Sequence, residues 1–243
     1  MSTISQALVL AAGNGDRFRG GSAHSKLVTP IGGTPLLIRT LNSARDAGIR
    51  DAHIVLGYDA EYVRTLVVRR APAGLTLHFH LNRLWHEENG RSVLQARAAL
   101  ARQTFAVLMG DHIFQPRALA SLARVPCGTA AVLAGVDRHT TEPEVVSEAT
   151  KVRMIGDRII AIGKTITPFD GLDTGLFVCR DSLFTAIDDA CATGDTTLSG
   201  GIARLAVRGL VRGVDIGLAR WCDVDTIDDL AMAEELTGPL PVA

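Results

Sequence analysis

Short apolar runs alternate with amphipathic stretches along most of the first half of the chain. Residues 6–12 are continuously apolar and end in small side chains, the pattern of a parallel strand buried on both faces. Residues 35–47 carry Leu36, Leu37, Leu41 and Ala44 at helical spacing and stop at Gly48. Further strands are predicted at 53–57, 75–80 and 105–109, with helices at 60–69 and 92–101 between them. This β-α-β-α-β order predicts a parallel sheet covered on both faces. The second half reads differently. Residues 151–155 and 158–162 flank Gly156-Asp157 as a hairpin, 173–179 forms another strand, and 182–191 and 198–208 are helices. A short strand at 221–224 leads into a last helix, with Thr226 and Asp229 as a capping box.

Composition narrows the picture. A chain of 243 residues with 47% hydrophobic side chains suits one large α/β domain with a sizeable core. Lys+Arg of 25 against Asp+Glu of 26 gives no general electrostatic case for nucleic acid or an anionic membrane. No apolar run approaches the roughly 18 residues of a membrane span, and the N-terminus does not read as a secretory leader. Cys127, Cys179, Cys191 and Cys222 lack metal-ligand spacing and read as reduced, buried thiols in a cytoplasmic protein.

Three stretches carry candidate chemistry. "LVLAAGNGDRFRGGSAHSKLV", residues 8–28, follows the first strand and so lies at the sheet edge where open α/β folds bind ligands. It is neither a dinucleotide fingerprint, since Phe18 stands where a third glycine belongs, nor a Walker A loop, since Lys26 follows Ser25 and precedes Leu27. Gly13 and Gly15 allow backbone N–H groups to cup phosphates, and Arg17 and Lys26 add positive charge. A tight turn with two solvated cations is the plainer alternative. "FAVLMGDHIF" ends a buried strand in Gly110 and Asp111, a placement that suits a Mg²⁺ carboxylate ligand. "RWCDVDTIDDLAMAEEL" holds Asp223 and Asp225, which the capping box leaves unused and which alternation places on one side of a strand.

The first stretch resembles the signature loop of nucleotidyltransferases that join a nucleoside triphosphate to a sugar, polyol or alcohol phosphate. Asp16 replaces that family's hydroxyl residue and Ser25 its proline. With "NRLWHEENGRSVLQA", "SEATKV" and "IGKTITPFDGLDTGLF" added, the chain from Leu8 to about Glu235 resembles the CTP:inositol-1-phosphate cytidylyltransferases and, nearly as closely, the phosphonate cytidylyltransferases. The resemblance implies a single Rossmann-like domain of the nucleotide-diphospho-sugar transferase type over 1–243, its mixed sheet mostly parallel, with a small hairpin region for the acceptor. CTP would bind over about 1–125. Its base would be read at Ala11, Ala12 and Gly13 and at Asn89, Gly90 and Ser92, the last capping a helix, and its phosphates held by Asn14, Gly15, Arg17 and Lys26. The acceptor would bind over about 126–243 through Lys151, Lys164, Asp173 and Glu148. Mg²⁺ would be the cofactor, on Asp111 and Asp225. The implied reaction joins CMP to a small anionic acceptor. Inositol 1-phosphate is the first expectation, a two-carbon phosphonate or phosphocholine the alternative. Two Trp, two Tyr and seven Phe do not indicate the aromatic cage that choline favours.

Overall fold

A computed structural model describes residues 4–18 and 24–237, the side chains of Arg17 and Thr237 excepted. The strands are β1 (Gln6–Ala11), β2 (Pro30–Ile31), β3 (Thr34–Pro35), β4 (Asp51–Leu56), β5 (Thr76–Leu81), β6 (Thr104–Met109) and β7 (His112–Phe114). β8 (Val132–Asp137), β9 (Lys151–Ile155), β10 (Arg158–Gly163), β11 (Gly171–Arg180), β12 (Val211–Asp215) and β13 (Trp221–Asp223) complete the set. The helices are α1 (Leu36–Asp46), α2 (Ala60–Arg70), α3 (Gly90–Leu94), α4 (Arg97–Leu100), α5 (Pro116–Arg124), α6 (Pro143–Glu148), α7 (Ser182–Cys191), α8 (Leu198–Val207) and α9 (Asp229–Thr237). No helix among the described residues is long and apolar enough to cross a membrane.

Nine strands form one mixed sheet in the order β5-β4-β1-β6-β11-β8-β12-β10-β9. The first four run parallel, so β1, β4, β5 and β6 end at the same edge. β11 is antiparallel to both β6 and β8, which turns β8 and its parallel neighbour β12 toward that edge as well. Apolar side chains bury on both faces. One face packs Val9, Ile54 and Leu108 against α1, α2 and α5, and the other packs Leu8, Val55 and Val107 against α3, α7 and α8. Full burial on two sides explains why β1 reads as an unbroken apolar run rather than an alternating one.

Two expectations need correction. The helix expected over 92–101 is two short pieces, α3 and α4, parted at Ala96 (φ −95°, ψ 2°). Ser92 is a buried residue inside α3, not a cap; its Oγ accepts a 3.0 Å bond from Asn82 Nδ2. The expected hairpin β9–β10 is present and built into the main sheet, with β10 also pairing with β12 and β9 with β11. The short β2, β3 and β7 went unforeseen, and so did two strands of the nine-stranded sheet. β8 and β12 are short, glycine-interrupted and lack alternation, yet β8 lies between β11 and β12.

Candidate active site

β1 ends at Ala11, and the chain then turns through Gly13–Gly15 into a single 3-10 turn at Asp16–Phe18. Gly15 has φ +64°, and a Cβ there would stand 2.9 Å from both Cγ and Cδ of Lys26. The glycine therefore serves two needs, a left-handed backbone and passage for the lysine stem. Ser25 takes the position of the family's proline and caps the 3-10 turn Lys26–Val28, its Oγ accepting from Leu27 N at 3.4 Å. Asp16 is exposed and accepts a 2.7 Å bond from Asn14 Nδ2.

The two carboxylates are joined by a ribbon. After β6, Gly110 and Asp111 turn into β7, which pairs antiparallel with β13 in the register Phe114↔Trp221, Ile113↔Cys222 and His112↔Asp223. One further backbone bond, Val224 N to Asp111 O at 3.1 Å, carries the pairing past the strand ends. Asp225 is thereby fixed beside Asp111, although the two stand in opposite halves of the chain. Asp229 accepts from the backbone N–H groups of Asp225 (2.9 Å) and Thr226 (2.7 Å), its carboxylate reaching back as in a capping box. On the other side, buried Thr40 of α1 reaches the carbonyls of Gly110 (3.1 Å) and His112 (2.9 Å).

Lys26 stands at the centre. Its Nζ is 2.8 Å from Asp111 Oδ2, 2.7 Å from Asp225 Oδ1 and 2.9 Å from Val224 O, and the residue is 7% exposed. Burial opposes its charge, but the two carboxylates outweigh burial and raise its pKa. Burial would raise Asp111, yet the Lys26 charge and the bond from His112 hold it well below the usual carboxylate range. His112 Nδ1 lies 3.0 Å from Asp111 Oδ1, so each oxygen of that carboxylate has its own partner. Burial disfavours the His112 cation, and Asp111 more than offsets this, so its pKa is raised. Asp173, inside β11, goes the other way. Burial lifts it to about 6, against the Gly175 N–H (3.0 Å) and the His112 charge.

These groups open into a cavity of about 740 Å³. Of the residues expected from the sequence, Ala11, Ala12, Gly13, Asn14, Gly15, Lys26, Asn89, Ser92, Asp111, Lys164 and Asp225 line it. Gly90 does not; it is buried, and a Cβ there would meet Thr196 O at 2.5 Å. Asn89 lines the wall with its Oδ1 occupied by Leu198 N at 2.8 Å. Lys151, Glu148 and Asp173 are not among the lining residues. Lys151 is 8% exposed, and its ammonium closes the end of α6 by donating to Ser147 O (3.3 Å) and Ala149 O (3.0 Å). The Arg17 side chain lies outside the described residues. Asp223 and Asp225 do not share one pocket: β13 stops at Asp223, which faces His112 electrostatically, and only Asp225 lines the cavity. His112, Trp85, Met109 and the Val224 carbonyl were not foreseen. The one signal for His112 was its place directly after a strand-end carboxylate.

Two hard carboxylate oxygens from different segments already converge within 2.8 Å of one positive centre. Among the described residues no group of three or more His, Cys, Asp or Glu is arranged to hold a metal. Two carboxylates, with phosphate and water left to complete the shell, fit Mg²⁺ rather than an ion needing an all-protein cage.

A glycine-bearing turn at the carboxyl edge of an α/β sheet, beside paired carboxylates and a lysine, is the arrangement in which such folds hold phosphates. Residues 7–194 match the MobA-like NTP transferase domain, and the chain belongs to that family of nucleotidyltransferases. It is similar to the "Bifunctional IPC transferase and DIPP synthase" of Rubrobacter xylanophilus, 34% identical over 95% of this chain and 51% of that protein. The protein of the same name from Aquifex aeolicus is 27% identical over 96% and 51%. The chain thus spans about half the length of these relatives. The "CMP-5'-(3-aminopropyl)phosphonate synthase" of Streptomyces rubellomurinus is 37% identical over 50% of this chain and 19% of that protein. Among solved structures, the inositol-1-phosphate CTP transferase from T. maritima has the same fold, with TM-score 0.83 and 24% identity over 97% of this chain and 95% of that one.

Proposed function

We propose that this protein transfers CMP from CTP to inositol 1-phosphate, releasing pyrophosphate, with Mg²⁺ held by Asp111 and Asp225. The observation that carries the reading is the convergence of those two carboxylates on one cationic centre beside the Gly13–Gly15 turn. Acceptor and nucleotide are both anions, and the attacking phosphate oxygen is already ionised at neutral pH. The protein's task is therefore positioning and charge neutralisation rather than proton transfer. The backbone of 13–15 cups the phosphates, and Lys164, exposed at the cavity rim, meets the acceptor. Mg²⁺, when bound, supplies charge for the α-phosphate and the incoming oxygen. Lys151 and Asp173 act from behind the wall, Lys151 by fixing the end of α6. Four free thiols, two of them buried, support a reducing, cytoplasmic setting.

The similarity to proteins named for IPC transfer runs over nearly the whole chain, which favours an inositol phosphate acceptor. A phosphonate acceptor is the second reading, supported by the shorter match to the phosphonate synthase. The deciding experiment incubates the protein with each nucleoside triphosphate, Mg²⁺ and a panel of inositol 1-phosphate, 2-aminoethylphosphonate, 2-hydroxyethylphosphonate and phosphocholine. Products are read by mass. CDP-inositol from CTP is expected; a product with another base or acceptor, or none, refutes the assignment.

A further inference from the structure

An ammonium carries three protons, and in this site all three are taken. Lys26 Nζ donates to Asp111 Oδ2, Asp225 Oδ1 and Val224 O at 2.7–2.9 Å. At 7% exposure, Lys26 in this position has no proton left for a phosphate. The same two carboxylate oxygens are the ones a divalent ion needs. Mg²⁺ sits roughly 2.0–2.1 Å from its oxygens, so an ion between these carboxylates would enter the space the ammonium fills. Two like charges brought this close in a buried site repel strongly, and a divalent ion repels more than a monovalent one. The two cations exclude one another.

We propose that Lys26 is an exchangeable placeholder. In the nucleotide-free protein its ammonium neutralises the two carboxylates and keeps them together; a divalent ion is admitted only as the triphosphate draws the lysine away. The stem gives the lysine somewhere to go. It passes beneath Gly15 so closely that a Cβ would stand 2.9 Å from it, and Lys26 and Gly15 line the same cavity. A short swing carries the ammonium from the carboxylates to the phosphates. Lys26 is then a positioning residue before nucleotide entry and a phosphate contact after it. Metal and nucleotide must enter together, and the free protein keeps no divalent ion in its seat. This inference rests on the nucleotidyl-transfer reading only for the ligand that displaces the lysine.

The test titrates Mn²⁺, followed as free ion by electron paramagnetic resonance, into wild type and Lys26→Met, with and without α,β-methylene-CTP. Without nucleotide, Lys26→Met should bind Mn²⁺ at least about tenfold more tightly than wild type, a conservative figure for removing one adjacent charge. The analogue should tighten Mn²⁺ binding more in wild type than in the variant. Adding Asp225→Asn to Lys26→Met should abolish the gain, which locates the ion. A purely structural lysine predicts the opposite, since its loss would splay the carboxylates and weaken metal binding. Equal or weaker Mn²⁺ binding by Lys26→Met, or an equal effect of the analogue on both proteins, overturns the proposal. If Lys26→Met does not fold, wild type decides: Mn²⁺ and analogue binding that prove independent overturn it equally. Because occupancy is read rather than turnover, a protein that transfers no CMP yet shows this exchange refutes the cytidylyl reading alone.

Discussion

At Asp111 the two oxygens of one carboxylate have different duties: Oδ2 meets Lys26 and Oδ1 meets His112. Asp111→Asn keeps the shape and removes the charge, so the protein should remain folded by circular dichroism. Transfer, followed by pyrophosphate release, should fall at least about 10²–10³-fold, the loss typical of one charge-stabilising group. Asp173 carries a prediction of the opposite kind. Its carboxyl is raised to about 6, first by burial, so ionisation there opposes folding. The unfolded chain ionises near the ordinary carboxylate value; the penalty is therefore absent at low pH, grows as pH rises past that value, and is complete above about 6. Asp173→Asn, whose Oδ1 still accepts from Gly175 N, should raise the melting temperature at pH 8 and leave it unchanged near pH 3.5. At this scale the sequence was generous with charged groups and silent about their partners. The spacing marked Gly15, Lys26 and Asp111, and the family resemblance singled out Asp225, but that the lysine would lie between the carboxylates depends on a contact spanning some two hundred positions, which no local pattern encodes.

The elements around the site are short, and their attachments matter more than their propensities. The turn between β6 and β7 is held by the Thr40 hydroxyl, which reaches the carbonyls of Gly110 and His112 across the α1 interface. Thr40→Val is nearly isosteric but removes the single hydroxyl proton that these carbonyls share. It should cost about 1–3 kcal/mol in urea unfolding and lower transfer as well, because the same turn aims Asp111. A stability loss with unimpaired activity would show that the turn holds its shape unaided. The long, strongly patterned elements α1, β1, β4 and β6 could be read to within a residue or two. β13 was expected over 221–224, but its partner β7, three residues long, was not: it holds its shape through pairing with β13 and the Thr40 hydroxyl. The same holds for β12, whose "VRGVD" has neither alternation nor length and becomes a strand because β8 lies beside it.

Across the molecule, the parallel half of the sheet was legible because βαβ units leave a strong periodic signature. In the second half β9, β10, β11, α7 and α8 were legible to within about two residues, but their order in the sheet was not. There the sheet depends on antiparallel returns between residues distant in sequence, with β11 pairing to β6, β8 and β9. That wiring decides how far the working unit must extend. The family match stops at residue 194, whereas β12 enters the sheet between β8 and β10, and the second carboxylate arrives only at Asp225. A truncation ending at residue 194 would lose an interior strand together with one half of the acidic clamp. It should show no cooperative thermal transition; a cooperative one, near that of the longer protein, would mean β12 adds little. In terms of engineering, no cut upstream of the last helix is neutral. The shortest piece of this gene product worth grafting onto another enzyme must run well beyond residue 194, to the segment that delivers the second carboxylate.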